Sequence, residues 1–213
     1  MLKPNKIYCW DCLELMKQIP NKSIDLVLTD PPYGIDYNNN KLNRKSNQCH
    51  SNIIGDKWIN FKYIIQELCR IGKRVIIFWA INFFYDLPYK WLWICRDKRT
   101  KKEADWALGS PFELAWCDKP SWYDKIYRIM HWWIVNDDWW KRFHPTQKPV
   151  RLMNNILQDF TKKWDTILDP FLWSWTTAIA CKELGRKFIG IEIEQKYVDI
   201  ANERLKTTTM SLF

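Results

Sequence analysis

The stretch Thr166–Ala180, TILDPFLWSWTTAIA, decides the fold. A short apolar run ends in Asp169-Pro170. After five intervening residues a Thr-Thr pair opens a segment with helical character. Strand, turn and helix in that order is the place where an α/β protein lays a cofactor against its backbone. Glycine is the usual residue there, because it has no Cβ to hold the ligand off. This chain has Trp173 and Trp175 in the turn instead.

Working outward, SIDLVLTD (23–30) is a nearly continuous apolar run ending in an acid, as in a parallel strand covered on both faces. The following Pro31-Pro32 cannot continue a central strand and makes a stiff loop at its carboxyl end. RVIIFWA (74–80) and KFIGIEI (187–193) read as buried strands, and NKIYC (5–9) as a short one. Residues 89–98 and 111–119 read as strands flanking a basic stretch, and 120–147 as irregular. Helical spacing occurs over 12–18, 60–72, 149–164, 176–184 and 196–206. Residues 36–57 are polar, rich in Asn and Lys, and read as a loop or insertion. Strands alternating with helices predict an α/β fold with a mostly parallel sheet, whose ligands bind outside the carboxyl ends of the strands. Asp30, Asp169 and Glu192, each at such an end, become candidates.

The chain has 213 residues, enough for one domain (1–213) with a small insertion. No apolar run reaches the roughly 20 residues that cross a bilayer, and the N-terminus has no signal core, so a cytoplasmic protein without membrane contact is expected. Seven cysteines, an odd number, form no disulfide framework. Cys9 and Cys12 make a lone C-x-x-C, and His50, His131 and His144 are far apart, so no metal site is expected. The net charge of +9 favours a polyanionic partner, most simply nucleic acid, although a basic chain also gains solubility by its charge alone.

TDPPYG (29–34) carries the clearest chemistry. The Asp30 carboxylate and the Pro31 carbonyl, held by Pro31 and Pro32, can accept both hydrogens of an amino group, and Tyr33 offers a flat face to a planar ring. In Asp169-Pro170-Phe171 through Ser174 to Thr176 and Thr177, backbone N–H groups and a helix N-terminus can receive the anionic end of a cofactor. Glu192, about 20 residues on, can accept from ribose hydroxyls.

TDPPYG near the start, followed at the far end by HPTQKP (144–149), DTILDPF, S-x-TT and FIGIEIE, resembles the β group of amino-methylating DNA methyltransferases. The likeness covers about residues 5–35 and 143–206. It implies a Rossmann-like fold that binds S-adenosylmethionine (AdoMet), with helices on both faces of a twisted sheet. Its motif order is circularly rearranged, the catalytic loop preceding the cofactor turn. It also implies a double-stranded DNA substrate whose target base is flipped from the helix. Asp30, Pro31, Pro32 and Tyr33 then correspond to the catalytic loop. Asp169, Pro170, Phe171, Trp173, Ser174, Trp175, Thr176 and Thr177 form the cofactor turn, with Trp173 and Trp175 at its glycine positions. Glu192 corresponds to the ribose-binding acid, Asp11 with Cys12 to the contact on the adenosine portion, and Thr146 and Lys148 to contacts on the methionine end. Target recognition falls within 36–142. Cytosine C5-methylation needs a cysteine nucleophile, commonly after proline, and none of the seven cysteines follows one. Asp-Pro-Pro-Tyr points to adenine N6, with cytosine N4 as the alternative, or a catalytically impaired DNA-binding relative if Trp173 and Trp175 are genuine. The resemblance leaves open a homodimer and a restriction endonuclease partner.

Tryptophan and glycine counts are inverted. There are 15 Trp and 6 Gly, where average usage of about 7% would give roughly 15 Gly. Trp10, Trp79, Trp164, Trp173, Trp175 and the pairs at 132–133 and 139–140 stand in turn-like contexts, whereas Trp91 and Trp93 suit a strand. One reading is a chain rich in tryptophan for stacking on bases. The other is UGA codons that encode glycine in the source organism but stand here as tryptophan, which explains positions as well as counts. An indole at 173 or 175 is then expected to fill cofactor space and impair binding.

Overall fold

The computed structural model describes residues 2–32, 61–88, 92–99, 110–118, 124–129, 148–173 and 175–209. Its centre is made of short apolar strands: β2 (Leu26–Thr29) and β3 (Val75–Phe78) are buried at all positions, as strands covered on both faces must be. With β1 (Lys6–Cys9), β4 (Leu92–Asp97), β5 (Phe112–Cys117), β6 (Lys125–Arg128), β7 (Thr166–Asp169) and β8 (Lys187–Glu192) they form one sheet. Its order among the described residues is β1-β8-β7-β2-β3-β5-β4-β6. Pairing is parallel from β1 through to β3; β5 runs antiparallel to β3 and β4, and β6 runs parallel to β4.

Alternation along β2 sends Leu26 and Leu28 to one face and Val27 to the other. The first face packs against α3 (Val150–Phe160), α4 (Thr176–Glu183) and α5 (Gln195–Thr207), through Leu152, Ile156 and Ala178 among others. The second packs against α1 (Cys12–Met16) and α2 (Phe61–Ile71), through Met16, Ile64 and Leu68. The α/β expectation, helices on both faces of a mostly parallel sheet, therefore holds. From β7 the chain crosses by α4 to β8 on one side; from β2 it passes by α2 to β3 on the other. Between β7 and β2 the connections diverge, and the crevice this leaves outside the strand ends is where open α/β sheets take ligands.

Three expectations need correction. Residues 120–147 are not all irregular: Lys125–Arg128 is an edge strand, with Ile126 55% exposed. Its alternation is too short to stand out in sequence, and its place is set by β4 and by Asp159 of α3. The Asp159 carboxylate accepts from Lys125 Nζ at 2.8 Å and Tyr127 Oη at 2.6 Å. The strand expected to reach 80 stops at Phe78, where Trp79 turns the chain into a 3-10 segment, Ala80–Asp86. The helix expected to reach 164 stops at Phe160, its last turn closed by the Thr161 hydroxyl on the Leu157 carbonyl.

At three turns the backbone is left-handed at a tryptophan. Trp79 has φ 55°, Trp164 φ 76° and Trp175 φ 44°. A Cβ in that region costs about 1–2 kcal/mol, and Trp164, 63% exposed, gains little burial in return. Trp164→Gly should therefore stabilise the fold by about 1 kcal/mol, measured by urea denaturation. Trp164→Ala, which keeps the Cβ, should not.

Candidate functional site

Parallel strands bring their carboxyl ends to one edge of the sheet, so residues distant in sequence meet there. Asp11 follows β1, Asp30 follows β2, Asp169 ends β7 and Glu192 ends β8. Asp169 is the hub. Its Oδ1 accepts the Thr29 hydroxyl at 2.8 Å and the Phe171 N–H at 3.2 Å, and its Oδ2 accepts the Thr177 hydroxyl at 2.8 Å. One carboxyl group thus joins β2, the 169–175 turn and α4. Burial raises its pKa to about 7, the neighbouring charge of Asp30 adding to the rise against the pull of the three donors.

The turn then folds onto β8. Leu172 N–H donates to the Ile191 carbonyl at 2.9 Å. The Leu172 side chain lies over Gly190, where a Cβ would stand 2.3 Å from Leu172 Cδ2. A side chain at 190 would have to displace Leu172.

A cavity of about 210 Å³ opens beside it. Asp11, Glu192 and Glu194 give it a polar side; Ile64, Phe171 and Ile193 give it an apolar one. Asp11 caps α1, its Oδ1 accepting the N–H groups of Leu13 at 2.8 Å and Glu14 at 3.2 Å. Glu192 Oε1 accepts the Glu194 N–H at 2.9 Å. Burial lifts Glu192 to about 7, more than its backbone hydrogen bonds lower it. Burial also pushes the Cys12 thiol up to about 12, with Asp11 contributing, which keeps it protonated and poorly nucleophilic.

Asp30 directly follows β2, two residues before Pro32, which lines the cavity. Its Oδ2 is 2.6 Å from Lys148 Nζ, an ion pair whose side chains are 14% and 3% exposed. Its backbone carbonyl accepts Trp173 Nε1–H at 2.8 Å. Lys148 also stands 5.2 Å from the centre of the Phe78 ring. Behind it, Arg96 pairs with Glu113 at 2.9 Å. Burial pushes the Glu113 carboxyl up, but the positive charges of Lys148, Arg96 and Lys98 outweigh that and hold it below its ordinary value. Lys148, expected as a contact on the methionine end of AdoMet, is set on the Asp30 carboxylate.

Of the residues singled out in sequence, Asp11, Cys12, Pro32, Pro170, Phe171, Trp173 and Glu192 line one cavity. Pro31 is buried beside Asp30 in the chain. Trp175, Thr176 and Thr177 do not line it. They are buried, Trp175 with the Arg204 guanidinium of α5 5.6 Å from its ring centre, and Thr177 on Asp169. Tyr33, Thr146 and Ser174 lie outside the described residues. Sequence reasoning missed Thr29 and the Arg96–Glu113 pair. A threonine closing a buried strand was the only signal for the first; the second depends on the β4–β5 register, which places Arg96 opposite Glu113. Among the described residues no three His, Cys, Asp or Glu side chains cluster as metal ligands, and no helix is long and apolar enough to cross a membrane.

A family model described as DNA methylase, of the N6/N4 type, matches residues 85–203. The type II methyltransferase M.HinfI of Haemophilus influenzae is 31% identical over 248 aligned residues, covering 95% of this chain and 68% of its own. The type II methyltransferase M2.LlaDCHI of Lactococcus lactis subsp. cremoris is 26% identical, covering 92% and 87%. In fold the chain resembles M1.HpyAVI, solved in complex with SAM, at TM-score 0.63 and 23% identity over 94% of this chain and 98% of that one. It also resembles the cytosine-N4-specific PvuII DNA methyltransferase, at TM-score 0.62 and 17% identity over 100% and 96%.

Two outcomes follow from the charges. Asp169 and Glu192 titrate near 7, above their ordinary 3.8 and 4.5. The native state therefore keeps protons that the unfolded chain has released, so this contribution to stability declines as pH rises from about 4 to about 7 and is level above. Glu192→Gln should remove its share. The stability of that variant relative to the parent should improve from pH 5 to pH 8, by at most about 1.4 kcal/mol per pH unit, in urea titrations. Lys148→Met should destabilise the fold by about 3 kcal/mol, because it strands a largely buried carboxylate; Asp30→Asn in the same chain should restore part of that loss.

Proposed function

Because the chain belongs to the N6/N4 DNA methylase family, we propose that it transfers a methyl group from AdoMet to the exocyclic amine of a base flipped out of double-stranded DNA, and that the base is adenine. The observation that carries this reading is the intact Asp30-Pro31-Pro32 loop, set at the switch point against the Asp169-Pro170-Phe171 turn. The net charge of +9 supports a polyanionic substrate.

AdoMet matches the lining of the cavity at its nucleoside end. Glu192 suits ribose hydroxyls, Phe171 and Ile193 suit the flat base, and Asp11 stands beside them. It does not match the volume. About 210 Å³ falls short of the roughly 300–1,000 Å³ of ordinary ligand pockets, and Trp173 bridges the gap to Asp30.

AdoMet brings a sulfonium methyl that is already electrophilic, so the chain's task is positioning and charge placement. The Asp30 carboxylate, anchored by Lys148, accepts one amine hydrogen. The Pro31 carbonyl accepts the other, and two prolines hold both acceptors still. Tyr33 stacks on the ring. Reading of the surrounding sequence is assigned to the 36–142 segment. Asp-Pro-Pro-Tyr favours adenine over cytosine, whose N4 is the second reading.

The test is incubation with labelled AdoMet and unmethylated DNA, followed by digestion to nucleosides, in parallel on the chain as written and with glycine at 10, 164, 173 and 175. N6-methyladenine is expected; N4-methylcytosine would move the target base to the second reading. Label in neither chain would overturn the assignment. Asp30→Asn should lower the rate at least about 100-fold.

A further inference from the structure

We infer that the residues at 79, 164, 173 and 175 are glycine in the protein as its own cells make it, and that glycine at 173 opens the cavity through to Asp30. Two independent geometric observations carry this. The first is backbone conformation. Among the described residues, five that are not glycine have positive φ, and three of those are tryptophan: Trp79, Trp164 and Trp175. Seven tryptophans are described, so three in seven adopt a conformation that about a few per cent of non-glycine residues adopt, and bulky ones least. The other two, Asn5 and Lys22, are scattered singly. Gly185, at φ 67°, shows what the chain uses where glycine is kept.

The second observation is space. Trp173 is not left-handed, so strain says nothing about it. Its indole instead crosses from the 169–175 turn to the Asp30 carbonyl, 2.8 Å away, and lines a cavity whose polar side is suited to a nucleoside. A side chain there occupies the ground between the nucleoside end and the carboxylate. Trp93 and Trp116 carry neither sign: both lie within strands, paired across β4 and β5, and Trp116 is fully buried in the core. Nothing in their geometry favours glycine.

One cause accounts for both observations. A cell that decodes UGA as glycine, its gene being translated with UGA as tryptophan, writes this exchange at every such codon and no other. It also accounts for 15 Trp beside 6 Gly. The residue identities stand without the methyltransferase reading; the effect at 173 on AdoMet rests on it.

Trypsin separates the two parts. Cleavage after Lys163 and Lys182 yields one peptide, residues 164–182, holding positions 164, 173 and 175; cleavage after Arg74 and Lys90 yields residues 75–90, holding position 79. Tandem mass spectrometry of the protein from its source cells should find glycine at all four. Tryptophan there overturns the inference. Separately, calorimetry with AdoMet should show Trp173→Gly binding at least about tenfold more tightly than the chain as written. Trp173→Ala should do nearly the same, since the backbone at 173 asks only for space. Glycine in the peptides with no gain in affinity would leave the identities standing and overturn the role of 173 as a plug.

Discussion

A single buried carboxylate holds the functional edge of this protein together. Asp169 accepts hydrogen bonds from the end of β2, from its own turn and from the first turn of α4. None of these elements is adjacent in sequence to all the others, and the Thr29 contact spans 140 residues. Burying a carboxyl group is costly, and three donors offset the cost only because the turn and the helix are in place to supply them. Site geometry and local stability are therefore one quantity at this edge. Leu172 completes it by pressing the turn onto β8 at the one residue, Gly190, that has no side chain to resist.

Around that hub the charges are ordered by depth. Buried Arg96 and Lys148 flank the half-buried Glu113, and the attraction of both cations to that carboxylate is what makes the cluster tolerable. Lys148 carries the cluster forward to Asp30. A carboxylate held this way has a fixed position before any substrate arrives, which is the useful form of preorganisation for a reaction that asks its protein for alignment. The antiparallel β4–β5 pair thus serves the reactive end of the parallel sheet, although neither strand touches the cavity.

Tryptophan marks where the fold and the written sequence disagree. Turns at 79, 164 and 175 keep a left-handed backbone despite the side chain, because the flanking strands and helices determine the path of the chain more strongly than one residue's preference does. The strain is local. At 173 the conflict concerns volume, and it falls on the ligand's side of the turn.

Much of the architecture could be read from the chain. Runs such as LVLT and VIIF are apolar at every position because both faces of a parallel strand are covered, and the acids at their ends mark the edge where ligands bind. Asp30, Asp169 and Glu192 were legible for that reason, since each ends or directly follows a strand; Asp11 and Phe171, each two residues beyond a strand's end, entered only through the family resemblance. Lys125–Arg128 was not, since a four-residue edge strand has too few alternations to stand out and is stabilised by Asp159 from another element. By itself the sequence determined the fold class, the family and the candidate acids at the strand ends, because these follow from periodicity and from motifs contiguous along the chain. Only the tertiary structure decided that Lys148 holds Asp30, that Thr29 holds Asp169, and that Trp173 rather than Trp175 stands in the cavity, because each depends on which strand ends lie side by side and on the direction a side chain takes from a turn.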